Sequence, residues 1–562
     1  MKRHLQTMLV CCVTSLSLGL LGCTTPADQS LVSTANSGRP NVLFITVDDM
    51  GYADLGAFGS EIPTPNLDAL AYQGIRLTNF RTSPACSPSR AMLLTGADAH
   101  LAGLGNMQEE LAPNQRGRPG YEGRLSNRVV TLAELLQSEG YRTYLSGKWH
   151  LGSTPDSLPS ARGFDRTFAL ASGGASHFSD MRPAYAPTPE VKAPYYQNGE
   201  KLNALPEEFD YSSQFYVDWM ISALSSDAEH GDPFFAFLSF TAPHWPLQAP
   251  EQALANFRGR YDEGYGVLLK TRFEKQKALG VVPDDVKMNN LPWPSWDTLT
   301  PTQQRQSARS MEVYAAMIKE IDDHVGRLIK HLDESNQLAN TLIVFLSDNG
   351  AEGHTLDETW PKAMFPKVRA TIDETHDFSY ENMGLERSYT FYNAQWARVS
   401  SPTTRWHKGF VSEGGLKSAA FIYYPARLAA RIESTPVYIK DLLPTTLALL
   451  ESSELNSSHP SISGRSIGRK LLDPRVKLAA RVEVIELFGK IAVIDFPWKA
   501  IRLPAPWQHN TDEWALYNLQ TDNLETIDLA ASHPETLARL QETWRAYQTR
   551  YDVILPDWVS GY

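Results

Sequence analysis

The run Cys86-Ser87-Pro88-Ser89-Arg90 joins a potential nucleophile, a proline suited to the first turn of a helix, and a cation four residues on. Pro88 has no N–H to lose in that turn, and on a helix Cys86 and Arg90 share a face. The helix N-terminus adds backbone N–H groups and the positive end of a dipole. An anion formed at position 86 would be stabilised there, and Arg90 could orient it. Cys86 is also isolated. Of the four cysteines, Cys11, Cys12 and Cys23 lie near the amino terminus, which leaves one in the body of the chain. Exported chains normally pair their cysteines or discard them, so a lone survivor suggests a chemical role. The plainer alternative is a small buried thiol.

Two oxygen-bearing pairs stand out next, Asp48-Asp49 and Asp348-Asn349. Either pair alone reads as a strand cap or a turn. Together, four oxygens suit a hard divalent cation such as calcium or magnesium, which would relieve their mutual repulsion. Gly147-Lys148-Trp149-His150 and Thr241-Ala242-Pro243-His244 supply a cation and two histidines, each after an apolar run. Lys148 suits an anion, and His150 and His244 can move protons near neutral pH. A single such histidine is more often packed or exposed, and it is the shared placement that makes these candidates. Lys408 and Lys417 flank Glu413-Gly414-Gly415, and the residues alone leave both open.

These side chains need a scaffold that gathers them. Asn41–Val47, Tyr141–Ser146, Pro233–Thr241 and Thr341–Ser347 are near-continuously apolar and end abruptly in polar residues. They read as buried strands of a parallel sheet covered on both faces. Helical periodicity over 66–74, 131–139 and 310–332 lies between them, so the expectation is an α/β sandwich with its site at the carboxyl ends of the strands. Phe421–Tyr424 reads as another strand and Ile439–Leu450 as a closing helix. The catalytic domain is expected over 41–470. A smaller α+β domain follows over 471–562, with short strands such as Val482–Leu487 and Ile491–Phe496, then the segments Trp514–Leu519 and Glu525–Ala530 and a last helix from about Pro534. The aromatic stretches 178–215 and 353–400 are expected to rim the pocket.

The chain has 562 residues and a formal net charge of −12, which argues against general nucleic-acid binding. An anionic substrate must therefore be drawn in by a local cluster of cations. Lys2-Arg3, an apolar run to Leu21 and Leu20-Leu21-Gly22-Cys23 read as a bacterial lipoprotein export signal over 1–22. Cys23 is the expected lipid anchor, 23–40 a flexible tether, and the periplasm or outer membrane the expected location. The number of subunits is not legible.

The segment from Ser83 to Gly96, with Cys86-x-Pro-x-Arg90 followed by an apolar helix and Thr95-Gly96, closely resembles the signature of the type I sulfatases. The resemblance extends from about Asn41 to the carboxyl terminus and is similar to that of bacterial arylsulfatases. It implies an alkaline-phosphatase-like fold, a large and mainly parallel mixed sheet between helices. It implies that a maturation enzyme oxidises Cys86 to formylglycine, whose hydrate attacks sulfur. One calcium, or magnesium, would be held by Asp48, Asp49, Asp348, Asn349 and the side chain at position 86. Lys148, His244 and Lys408 would hold the sulfate. Asp348 would take the proton of the attacking hydroxyl, His244 or Lys408 would protonate the departing oxygen, and His150 would serve the release of sulfate. Lys408 precedes the Glu-Gly-Gly turn by five residues, as in the family, and is preferred to Lys417 on that ground. The substrate is expected to be an aryl or carbohydrate sulfate, with discrimination residing in 250–310, where the resemblance is weakest. The rivals are a phosphonate or phosphate ester hydrolase of the same superfamily and a non-catalytic lipoprotein that binds sulfated glycans.

Overall fold

The computed structural model describes residues 38–227, 231–452, 459–504 and 513–558. The expected export signal, Cys23 and the tether as far as residue 37 lie outside them. No helix among the described residues is long and apolar enough to cross a membrane.

The central strand, Asn41–Val47, shows why the sheet is covered twice. It pairs in parallel with Phe234–Ser239 on one side and Thr341–Ser347 on the other. Leu43, Ile45 and Val47 enter one apolar cluster, while Val42 and Phe44 enter another. This is the two-residue alternation of a strand buried on both faces. The first cluster is capped by helices Ser212–Ser226 and Pro301–Glu334, the second by Cys86–Thr95, Leu132–Ser138 and Leu442–Leu449. Ten strands make up the sheet. Beyond Phe234–Ser239 come Arg142–Lys148 and Arg166–Leu170, both parallel, then two short antiparallel strands. Ala420–Tyr423 runs antiparallel beside Thr341–Ser347. The sheet is thus mixed and mainly parallel, as expected.

Two boundaries differ from the sequence reading. The long helix begins at Pro301 rather than near Ser310, set by a capping box between Thr300 and Gln303 and by Pro at its first position. Its first turns are mostly exposed, so they carry no apolar stripe to reveal them. The strand expected to stop at Ser146 runs on through Gly147 to Lys148. Gly147 has φ 113°, and a Cβ there would lie 1.9 Å from the Ser239 carbonyl oxygen, so only glycine lets this strand reach its neighbour.

Residues Glu483–Leu487, Lys490–Asp495, Trp498–Arg502 and Trp514–Asn518 form a four-stranded antiparallel meander. The two expected strands are present, and Trp498–Arg502 and Trp514–Asn518 are additional ones. Helix Pro534–Tyr551 covers one face with Leu540 and Trp544. The other face packs Ile485, Ala492 and Ile501 on Val411, Leu416 and Tyr438 of the larger layer. A buried histidine ties the two. His100 lies between Asp98 (3.2 Å), Tyr547 Oη (3.0 Å) and Glu486 (3.0 Å). Despite burial, hydrogen bonds donated by His100 to Asp98 and Glu486 push its pKa up to about 9.

Candidate active site

The parallel register assembles the carboxylates. Val47 lies opposite Ser347, so Asp48-Asp49 and Asp348-Asn349 leave adjacent strands at the same level. Asp49 turns away with φ 68°. Its N–H approaches Asp348 Oδ1 at 3.4 Å, and Asn349 Nδ2 donates to Asp49 Oδ1 at 2.7 Å. Asn349 Oδ1 is buried and accepts no hydrogen bond among the described residues.

Cys86 is the first residue of the helix Cys86–Thr95, every residue of which is buried. Its Sγ lies 3.2 Å from Asp48 Oδ1 and 3.6 Å from Asp49 Oδ1. Arg90, one turn on, donates Nε to Asp348 Oδ2 at 2.7 Å and a terminal nitrogen to Ser239 Oγ at 2.6 Å. Lys148 ends its strand with Nζ donating to Asp48. Lys408 donates to Asp49 Oδ2 at 2.9 Å and pairs with Glu352 at 3.4 Å. His244 gives its Nδ1 proton to the Trp245 carbonyl and turns Nε2 toward Asp49 Oδ2 at 3.6 Å. His150, at φ 56°, places Nε2 3.0 Å from Glu109 Oε1.

All nine positions singled out in the sequence as catalytic or metal-binding beside Cys86 are therefore buried around it. Lys417 is not. Its Nζ lies 4.5 Å over the Tyr52 ring, away from these groups. Three contributors were missed. Ser239 ends a strand and serves Arg90. Glu109 sits on a single turn, and Glu352 follows Asp348-Asn349-Gly350-Ala351, where a search four residues past the aspartate would have found it.

Burial dominates the electrostatics, modified by neighbours. It raises Asp48, but Lys148, with His244, Arg90 and Lys408, overrides it and holds that carboxyl well below the usual range. Asp49 goes the other way. Burial outweighs Lys408, and Asp48, Glu352 and Asp348 add repulsion, so Asp49 is pushed up to about 7. Asp348 is raised by burial and Asp48 against Arg90. Burial and the Asp48 charge push the Cys86 thiol well above its ordinary value. It stays protonated, and a thiol is a poor nucleophile. His244 is held neutral by burial and Lys408, and burial also lowers His150 against the pull of Glu109.

Acidic residues cluster here as a possible metal site. Asp48, Asp49, Cys86 and His244 each offer an atom within 4.8 Å of the others, with the unmatched Asn349 oxygen close by. A second buried trio, Glu352, His354 and His407, is also closely spaced. Its carboxylate is already engaged by Lys408, by Trp245 Nε1 at 3.3 Å and by His354 Nδ1 at 2.7 Å.

Above Cys86 lies a narrow cavity of about 20 Å³ walled by Met107, Glu109, Tyr185, Trp245 and Trp360. A neighbouring cavity of about 110 Å³ shares Glu109, His150, Gly173 and Tyr185. The stretches expected to rim the pocket thus contribute Tyr185 and Trp360. None of these lining residues comes from the region 250–310. Its helix Tyr265–Ala278 instead buries Arg272 against Asp54 and Glu61.

Residues 40–452 match the family model described as Sulfatase. The chain is 41% identical over 539 residues to an uncharacterized sulfatase of Schizosaccharomyces pombe, covering 92% of this chain and 95% of that one. It is 40% identical over 415 residues to an arylsulfatase of Klebsiella aerogenes, covering 73% and 86% respectively. Among solved structures, Ps i-CgsB superposes with a TM-score of 0.64 at 25% identity, over 93% of this chain and 95% of that chain.

Proposed function

Because the chain belongs to the sulfatase family and is a sulfuric ester hydrolase, we propose that it cleaves aryl or carbohydrate sulfate monoesters at a nucleophile made from Cys86. The observation that carries this reading is the surroundings of Cys86. A protonated thiol, useless as it stands, is buried where three carboxylates and three cations converge. The thiol stands in for the side chain that maturation would leave at position 86. An aldehyde hydrate there would supply a hydroxyl nucleophile, and calcium or magnesium among Asp48, Asp49, Asp348 and Asn349 would offset the carboxylate charge and polarise a sulfate oxygen.

The protein's own groups divide the remaining work. Lys148, His244 and Lys408 bind the sulfate oxygens and orient sulfur toward position 86. Asp348, raised by burial and steered by Arg90, accepts the proton of the attacking hydroxyl. Lys408 and, once protonated at Nε2, His244 flank Asp49 and are the two groups that would return a proton to the departing oxygen. His150 removes the second hydroxyl proton when sulfate leaves. The aromatic walls exclude water and accept an aryl or sugar group.

Mass spectrometry of the tryptic peptide containing residue 86 should show an aldehyde in place of the thiol. Cys86→Ala should abolish turnover of 4-nitrophenyl sulfate while the far-ultraviolet circular dichroism is kept. Faster turnover of a phosphonate monoester by the wild type would favour the rival hydrolase. The export signal and the Cys23 anchor rest on the Leu20-Leu21-Gly22-Cys23 motif. Membrane fractionation of wild type and Cys23→Ala should separate the two if Cys23 is lipidated.

A further inference from the structure

His150 has two ring nitrogens, and the structure treats them differently. Nε2 lies 3.0 Å from the Glu109 carboxylate, while Nδ1 is buried and meets no hydrogen-bond partner among the described residues. A carboxylate only accepts, so Nε2 must carry the proton, and in the neutral ring Nδ1 then holds the lone pair. The pair is sterically prepared. A Cβ on Gly173 would lie 2.8 Å from His150 Cε1, 3.0 Å from its Nε2 and 3.2 Å from Glu109 Oε1. Glycine at 173 leaves the room that the imidazole and the carboxylate fill. His150 itself is held at φ 56°, an uncommon backbone state for a histidine. Glu109 and His150 line the same narrow cavity as Cys86.

We propose that Glu109 is a positioning residue that fixes the Nε2–H tautomer of His150 and so makes Nδ1 the basic nitrogen of the cavity at position 86. The inference rests on the function proposed above. In the sulfate-releasing step the proton of the remaining hydroxyl at position 86 passes to Nδ1. The O–H electron pair becomes the carbon–oxygen π bond, and the pair of the breaking carbon–oxygen bond departs with sulfate. His150 becomes cationic in that step. Lys148 and Arg90 oppose that charge, and Glu109 is the anion that offsets it.

The test uses the full-length, matured, metal-loaded enzyme and its Glu109→Ala and Glu109→Gln variants. Histidine-selective ¹⁵N spectra, with His150→Asn to assign the signal, report the tautomer without turnover. Wild type should show the Nε2–H form and Glu109→Ala a mixture or the opposite form. With 4-nitrophenyl sulfate, Glu109→Ala should lower kcat by roughly ten- to a hundredfold, as losses of groups that orient a histidine do, and change KM less than about twofold. Glu109→Gln, whose amide oxygen accepts the same N–H but carries no charge, should restore the tautomer and only part of kcat. An unchanged His150 signal in Glu109→Ala overturns the proposal, as does a loss of melting temperature with kcat per folded molecule intact. If wild type hydrolyses no sulfate ester, the function proposed above fails, and the spectra alone decide the role of Glu109.

Discussion

Five residues of chain separate Lys408 from Glu413, yet they belong to buried charge clusters of opposite character. At Glu413, Arg81 forks onto both carboxylate oxygens at 2.8–3.1 Å, and Lys499 bridges Glu413 and Glu525 at 2.9 and 2.7 Å. Two cations meet two anions. Burial raises Glu413, but Arg81 and Lys499 override it and hold it well below the carboxylate range. Glu525, at the far end, is raised by its burial. At Lys408, four carboxylates, Asp48, Asp49, Asp348 and Glu352, face three cations, Arg90, Lys148 and Lys408. Asp49 stays near 7 and the Asn349 oxygen stays unmatched. Buried charge alone therefore does not mark a site. What marks it is charge left uncompensated by the protein, which a ligand can compensate.

That contrast can be broken by mutation. Lys408→Ala should show the largest effect, a fall in kcat of roughly two to three powers of ten, as for other lost transition-state donors. Steady-state kinetics on substrates with good and poor leaving groups should show the greater loss with the poor ones. Glu413→Ala should do the reverse. Leaving the buried Arg81 without its carboxylate, and Lys499 with Glu525 alone, should cost about 3–5 kcal/mol in urea unfolding, with kcat per folded molecule within a few-fold of wild type. A stable but inactive Glu413→Ala would mean that the joint takes part in the chemistry.

A subtler test lies at His100. Its folded pKa is raised from 6.5 to about 9, so the stability it contributes is complete below about pH 6.5 and is lost as pH rises through 9. His100→Gln should be clearly less stable than wild type at pH 6. The gap should narrow by at most about 1.4 kcal/mol per pH unit across that window. Denaturation at pH 6, 8 and 9.5 would show it. The smallest change is expected from Lys417→Met. Lys417 is half-buried against Tyr52 and its pKa is lowered to about 8 by desolvation, so removing it should leave kcat within about twofold. A large loss there would move the pocket's cation from Lys408 to Lys417.

The site was legible where strand ends carry it. Apolar runs that stop at Asp48, Lys148 and Asp348 announce both the sheet and the positions its parallel register brings together. Lys408 could be preferred to Lys417 only through the family spacing, because the path of a loop leaves no periodicity. Glu109 stayed hidden for the same reason, on one turn in a stretch without pattern. Trp498–Arg502 was missed because Lys499, fully buried, stands where an inward strand position normally shows an apolar residue. Its charge is compensated by Glu413 and Glu525, far away in sequence.

The small carboxyl-terminal sheet has one more consequence. Leu487 and Phe488 at its hairpin pack on Ala85 and Met107, one residue before Cys86 and beside the cavity wall. Lys490 Nζ donates to the Gly409 carbonyl at 2.7 Å, next to Lys408. Lys499 and Glu525 hold Glu413. A chain cut near residue 470 would keep every residue singled out around position 86 yet lose the supports beneath two of them. The topology changes there, but the sheet beyond that point buttresses the wall around position 86.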